Sequence, residues 1–177
     1  MKATGIVRRI DDLGRVVIPK EIRRTYRIRE GDPLEIFVTP SGEVVFKKYS
    51  PLGEISTCAS VYAEVLSKAI GVPVAACDKD HIVAATGPAK KELLNRRISS
   101  ALAEQIESRR PILATEDGAH LRPTESSARG ISAGYPVIVQ GDVAGFLMAI
   151  SEKGKVDEFG AELLHMGAEL LANQLAE

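Results

Sequence analysis

The sequence predicts two domains of different fold class: a small, strand-rich module over residues 1–50 and an α/β domain with a central antiparallel sheet over residues 51–177. The first segment consists of short β-branched runs separated by turn-forming residues. The second alternates amphipathic helical patterns with paired apolar runs, which is the order of an α/β sandwich. Charge follows the same division. The first segment holds 11 Lys and Arg against 7 Asp and Glu, whereas the second holds 12 against 17.

The overall composition limits the classes of protein that the sequence can encode. Hydrophobic residues make up 45% of the 177 residues, and with 5% aromatics and no Trp they predict an aliphatic core. No run of 18 apolar residues is present, so no membrane span is predicted. The N-terminus lacks the pattern of a signal peptide, and two cysteines are too few for a disulfide framework. We therefore expect a cytoplasmic protein.

The first module is predicted to contain two hairpins with a short helix between them. Residues 5–10 and 16–18 are predicted strands around a turn, and residues 34–38 and 43–47 form a second pair. The helix extends from about residue 19 to 27, with proline at its first position, where a missing N–H costs nothing. Along this segment, the apolar side chains expected to pack inward are those of Ile18, Ile22 and Tyr26.

Eight cationic side chains lie between residues 5 and 32, which predicts a surface for a polyanion such as nucleic acid. A solvated arginine-rich surface is the alternative that charge alone leaves open. A module of about 50 residues also buries too little surface to be secure by itself, so a partner is expected. The cations are Arg8, Arg9, Arg15, Lys20, Arg23, Arg24, Arg27 and Arg29.

Four short motifs follow one another along this module: TGIVR at residues 4–8, LGRVVIP at 13–19, EIRR at 21–24 and GDPLEI at 31–36. In their sequence, order and spacing they resemble the swapped-hairpin DNA-binding domain of the AbrB transition-state regulator family. The resemblance implies an intertwined homodimer, in which two chains interleave their hairpins into one barrel-like unit. It also implies that the partner is double-stranded DNA with approximate two-fold symmetry.

The same resemblance implies which side chains contact DNA. Lys20 is a weaker candidate, and Arg27 and Arg29 are expected to pair with Glu30 or Asp32 instead. Arginine can clamp a phosphate or make a bidentate contact to a guanine edge. The DNA-contacting residues that the resemblance implies are Arg8, Arg9, Arg15, Arg23 and Arg24.

The second domain reads as helix, two strands, helix, loop, hairpin and helix. Ser50 is a predicted cap for the first helix, and Asp157 for the last. The predicted helices cover residues 51–70, 92–109 and 157–175; the strands cover 74–78, 81–86, 111–114, 133–139 and 143–150; residues 115–130 form a loop or lid.

This element order, with Tyr135-Pro136-Val137 followed by GDVAGFL at residues 141–147, is similar to that of GAF domains. The similarity implies a small-molecule pocket between sheet and lid, for an unidentified ligand. We name Thr86, Arg122 and Ser126 as a hypothetical polar lining.

The first and last helices of this domain each carry two apolar stripes, more than packing on one sheet requires. We infer that they pair with their copies as a four-helix bundle, which would join two dimers into a homotetramer. A helix that sinks deeply into its own domain is the alternative.

Catalytic and metal-binding patterns are absent from the sequence. His81, His120 and His165 lie far apart and lack metal-ligand spacing. Cys58 and Cys77 are expected to be buried apolar residues, although certain GAF proteins use cysteines to reduce methionine sulfoxide. We therefore expect no enzymatic activity, no cofactor and no metal.

These observations predict a cytoplasmic, nucleoid-associated transcriptional regulator that binds DNA, of the sporulation type implied by the resemblance. Two other functions remain open at this point. One is an antitoxin-like DNA-binding partner protein, and the other is a thiol redox enzyme of GAF type.

Overall fold

The computed structural model describes residues 4–113, 121–151 and 156–176. The chain divides into two compact units, Met1–Tyr49 and Ser50–Glu177. We call them the front unit and the body. No helix in the described ranges has the length and apolar character needed to cross a membrane.

The front unit contains one helix and one hairpin. Helix α1 covers Lys20–Thr25, and strands β1 (Leu34–Val38) and β2 (Val44–Lys48) pair antiparallel with Ile36 opposite Phe46. The second predicted hairpin is therefore confirmed, with β2 one residue later than expected. Helix α1 is shorter than predicted because Tyr26 leaves helical geometry and Arg27 takes a positive φ of 52°.

Residues 5–10 and 16–18, which were predicted as strands, form no strand in the single chain. Their turn does form, with the Asp11 amide donating to the Arg15 carbonyl oxygen at 3.0 Å. An extended segment becomes a strand only when a neighbouring strand supplies hydrogen-bond partners. Among the residues described for one chain, these segments have no such neighbour.

The front unit covers little of its apolar surface. Pro19 is the one buried residue among residues 4–49. The inward packing expected of Tyr26 is wrong for the single chain, since its side chain is 61% exposed, whereas Ile18 and Ile22 are half-buried. The exposed large apolar residues of this unit are Ile6, Val7, Ile10, Leu13, Val16, Val17, Tyr26, Ile36, Phe37, Val38, Val44, Phe46 and Tyr49.

The body is built on a five-stranded antiparallel sheet with helices on both faces, so the predicted sandwich is confirmed. The strands are β3 (Val74–Cys77), β4 (Ile82–Ala85), β5 (Ile112–Leu113), β6 (Gly130–Val139) and β7 (Asp142–Ser151). From one edge of the sheet to the other, their order is β4-β3-β7-β6-β5. The helices are α2 (Pro51–Glu54), α3 (Ser56–Ile70), α4 (Ala89–Leu93), α5 (Ser100–Ser108) and α6 (Glu158–Ala176).

Strand β7 divides the body into two cores, because successive side chains of a strand point to opposite faces. Leu147 and Ala149 join one buried cluster with residues of α3 and α6. Phe146 and Met148, together with Ile150, join the other with residues of α4 and α5. Burial on both faces explains why β7 is an almost continuous apolar run.

The predicted helix over residues 92–109 is wrong as one continuous element. It is split into α4 and α5 by a connection in which Asn95 takes a positive φ of 61°. The Ser99 hydroxyl then accepts a hydrogen bond from the Leu102 amide at 3.0 Å and caps α5. Leu94 and Ile98 lie four residues apart in line with Leu102, which suggested one helix, but both belong to the connection before α5.

Two predicted caps are confirmed. The Ser50 hydroxyl accepts from the Gly53 amide at 3.0 Å, with Pro51 at the first helical position. The Asp157 carboxylate accepts from the Gly160 amide at 2.8 Å at the start of α6. The first predicted helix is nevertheless interrupted at Ile55, which separates α2 from α3.

Candidate nucleic-acid interface

The turn at residues 11–15 presents Arg15 in a defined position. The Asp11 carboxylate accepts hydrogen bonds from the Leu13 amide at 3.0 Å, the Arg15 amide at 2.8 Å and the Arg15 Nε at 2.8 Å. Gly14, at a φ of 75°, allows the chain to reverse here. The Arg15 side chain remains 69% exposed. Asp11 therefore orients the guanidinium group while its outer face stays open to a ligand.

Asp11 is expected to titrate below the ordinary carboxyl range. The Arg15 amide, then the Arg15 guanidinium and to a lesser extent the Leu13 amide lower the pKa of Asp11. Because the pKa of Asp11 is lower in the folded state, its ionised carboxylate stabilises the turn fully above the ordinary pKa of about 3.9. This stabilisation is lost as the pH falls through the pKa of the folded state. An NMR titration of the Asp11 carboxyl group measures this. In Arg15→Ala the pKa should rise while the contribution of the amides remains, and an unchanged pKa would contradict the ion pair.

The five arginines expected to contact DNA are all exposed. Arg23 and Arg24 lie in the last turn of α1, where a positive charge is favourable beside the helix carboxyl end. Within the described part of the chain, Arg15 pairs with Asp11, and the other four take part in no ion pair. The members of this set, which we call the arginine surface, are Arg8, Arg9, Arg15, Arg23 and Arg24.

Arg27 and Arg29 lie in a different environment. Arg27 is half-buried, and its carbonyl oxygen accepts from Lys48 Nζ at 3.1 Å. The Asp32 carboxylate accepts from the Arg29 amide at 2.9 Å and lies 3.5 Å from Lys48 Nζ. Asp32 thus holds the end of the helix segment against β2, which gives this region a structural role.

The three residues named as a hypothetical pocket lining differ in burial and in the partners of their side chains. Thr86 is buried, and its hydroxyl is already bonded to the amide of Val74 at 2.8 Å and to the carbonyl oxygen of Val74 at 3.2 Å. Arg122 and Ser126 are exposed.

A hydrogen-bond network that no sequence pattern indicated lies beneath the segment at residues 121–129. The Glu92 carboxylate accepts from the Ser127 hydroxyl at 2.7 Å and pairs with Arg129. The Glu125 carboxylate accepts from the Ser100 amide at 2.8 Å. These two acids attach the segment to α4 and α5; their wide separation in sequence gave no signal.

The histidines and cysteines that the structure describes form no group that could hold a metal ion. His81 is exposed, His165 stacks on Tyr135 with ring centroids 4.9 Å apart, and His120 lies outside the described residues. Cys77 is buried, and its burial is the main cause of a raised thiol pKa, with the negative charge of Asp78 as the second cause. Cys58 is only half-buried, contrary to expectation. Among the described residues, no group of His, Cys, Asp and Glu could hold a metal ion.

The front unit is cationic and leaves its apolar side chains exposed, and it is joined to an α/β body. Comparison with known proteins shows that a chain of this kind is a DNA-binding transcriptional regulator. The family model described as "Stage V sporulation protein T C-terminal, transcription factor" matches residues 54–176. The model described as "Antidote-toxin recognition MazE, bacterial antitoxin" matches residues 7–53. Stage V sporulation protein T of Bacillus subtilis is 43% identical over 179 residues, covering 100% of both chains. The chain belongs to the stage V sporulation protein T family.

Two further similarities confirm the predicted fold of each unit. The transition state regulatory protein AbrB of Bacillus subtilis is 59% identical over 51 residues, which are 29% of this chain and 52% of that protein. The GAF domain of a phosphoenolpyruvate-protein phosphotransferase from Coxiella burnetii matches with a TM-score of 0.56 and 18% identity, covering 69% of this chain and 82% of that domain. At that identity the second similarity concerns the fold alone.

Proposed function

We propose that this protein regulates sporulation genes by gripping promoter DNA with the arginine surface of two intertwined front units. The observation that carries the proposal is the coincidence of exposed arginines with uncovered apolar side chains in one small unit. Thirteen large apolar side chains of this unit are exposed, and a concentration of exposed apolar surface marks an interaction site. A second copy would cover these side chains and bring a second arginine surface to the same duplex.

The predicted strands at residues 5–10 and 16–18 support pairing between copies. Among the described residues of the single chain these segments pair with no strand, and a second copy would supply the backbone partners that turn an extended segment into a strand. Val7 is 87% exposed and Val17 70% exposed, so interleaved hairpins would bury side chains that otherwise face water. A gel-shift titration against promoter fragments, with the oligomeric mass measured in parallel, tests the DNA-binding dimer.

Helices α3 and α6 support a second contact between copies. They lie side by side, because a side chain at Gly167 would meet Leu66 Cδ1 at 2.6 Å. Next to this buried seam they expose a face formed by Val61, Val65, Phe159, Met166 and Leu170, each at least 53% exposed. We define this set as the helical apolar face. Its burial against a second copy would join two dimers into a tetramer.

Placing a charge on the helical apolar face should dissociate the tetramer into dimers. In Met166→Glu the carboxylate would have to be desolvated in an apolar contact, which strongly disfavours association. Sedimentation velocity measures the result, and we expect the mass to fall from four chains to two. Ala101→Glu adds the same charge at an exposed position of α5 and should leave the tetramer intact. An unchanged mass for Met166→Glu would contradict this interface.

Three further points belong to the proposed function: enzymatic activity, an antitoxin-like role and the place of action. We infer that the protein is not an enzyme, since its full-length relative is a transcription factor and its buried Cys77 has a raised pKa. An antitoxin-like role is the second candidate, supported by the match over residues 7–53. A folded body matched by the transcription-factor model over residues 54–176 favours the regulator. We place its action in the cytoplasm at the nucleoid.

A further inference from the structure

The connection between α4 and α5 is joined to the β3–β4 turn by backbone contacts. The Ile98 amide donates to the Asp80 carbonyl oxygen at 2.9 Å, and the Ile82 amide donates to the Arg96 carbonyl oxygen at 2.9 Å. His81 and Arg97 face each other in an isolated antiparallel bridge. Basic residues that are up to 18 positions apart in sequence are thereby held at one edge of the body.

Six basic residues gather at this edge, and each of them is exposed. Two come from the β3–β4 turn, two from α4 and two from the connection that follows α4. In the described part of the chain none of the six takes part in an ion pair. We call this set the body basic patch: Lys79, His81, Lys90, Lys91, Arg96 and Arg97.

Three acidic residues belong to the same segment, and they offset the charge of the patch only in part, since residues 78–97 hold five Lys and Arg against three Asp and Glu. The Asp78 carboxylate accepts from the His81 amide at 2.6 Å and from the Ser50 hydroxyl at 2.6 Å. The Glu92 carboxylate is bonded to Ser127 and Arg129. Asp80 is half-buried. The outward charge of this edge is therefore positive, although the body as a whole is acidic.

The chemistry of the patch fits a phosphate backbone. Within residues 78–97 no large apolar side chain is exposed, whereas the centre of a protein–protein interface is apolar or aromatic. Lys and Arg without apolar neighbours suit the sequence-independent binding of phosphates. We propose that the body basic patch is a second DNA-contacting surface that holds the duplex beside the site gripped by the front units.

This inference rests on DNA binding by the front unit, and it assigns the body a direct part in occupancy. Phosphate contacts fix the position of a protein on a duplex and carry no sequence information. The patch should therefore add affinity only when the duplex extends beyond the core site. It should leave the choice of core sequence unchanged.

The test compares two duplexes, one trimmed to the core site that the full chain selects and one extended by several helical turns. The variant Lys90→Gln/Lys91→Gln/Arg96→Gln/Arg97→Gln should bind the short duplex like the wild type. On the long duplex we expect it to bind about tenfold to a hundredfold more weakly at about 0.1 M salt, with a log–log salt slope shallower by about 2 to 4. Unfolding curves and oligomeric mass confirm that the fold is intact.

The matched control is Lys90→Arg/Lys91→Arg/Arg96→Lys/Arg97→Lys, which preserves every charge and should bind both duplexes like the wild type. Wild-type affinity of the glutamine variant for the long duplex would overturn the second surface. Equal weakening on both duplexes would also overturn it, since the patch would then belong to the core contact. If the wild type binds neither duplex, the proposed function of the front unit itself fails.

Discussion

Arg15→Ala and Arg24→Ala are each expected to weaken binding of double-stranded DNA by roughly a hundredfold or more. A bidentate arginine contact contributes about 1–3 kcal/mol, and a pair of chains loses it twice. Arg15 is held by Asp11 with its outer face open, and Arg24 is exposed on the last turn of α1. Neither side chain contributes to a buried core, so the dimer should survive both changes.

Gel-shift titrations over a series of salt concentrations measure this effect. If the wild-type dimer neutralises about eight phosphates, its log–log salt slope should be about −7. Arg110→Ala removes an exposed arginine from the body and serves as the matched control. Intact binding by both Arg15→Ala and Arg24→Ala would refute the assignment of the arginine surface.

Gly145→Ala is expected to destabilise the body by about 3 kcal/mol or more. A methyl group at Gly145 would collide with the carbonyl oxygen of Cys77 and would lie 2.8 Å from Leu52 Cδ2. The carbonyl belongs to the β3 backbone, which pairs with β7 at the centre of the sheet, so it has no room to move. Relief of the collision would require the two strands to separate.

Chemical denaturation followed by circular dichroism measures the loss of stability. Gly141→Ala is a useful comparison at the turn of the same β6–β7 hairpin, because the added methyl group meets no atom within 4 Å but the φ is +87°. That strain corresponds to about 1–2 kcal/mol. Equal stability of Gly145→Ala and the wild type would show that β3 and β7 pack less closely than the structure indicates.

Local chemistry explains which elements could be predicted from the sequence. The Ser50 and Asp157 caps depend on residues within three positions, and the apolar run of β7 is visible as one continuous stretch of sequence. The prediction of one continuous helix over residues 92–109 was wrong because the interruption depends on a hydrogen bond from the Ile98 amide to the carbonyl oxygen of Asp80, 18 positions earlier. The prediction of strands at residues 5–10 and 16–18 was wrong for the single chain because a strand forms only beside a neighbouring strand, which local sequence does not supply.

The candidate interface was predictable to a similar extent. Its arginines could be identified because they belong to motifs with fixed spacing, and the structure leaves all five exposed. The orienting role of Asp11 was missed, although an acid four residues before an arginine around a Gly-containing turn was a usable signal. Of the body basic patch, the sequence shows the pair Arg96 and Arg97, whereas their proximity to the turn that carries Lys79 depends on backbone contacts of the folded chain.

The poor burial of the front unit has a consequence for gene control. Where lone chains predominate, doubling the amount of protein quadruples the number of pairs, since pairing depends on the square of the monomer concentration. Promoter occupancy should then rise more steeply than a simple hyperbola as the protein accumulates. A modest increase in synthesis would act as a sharp developmental threshold, without any added effector.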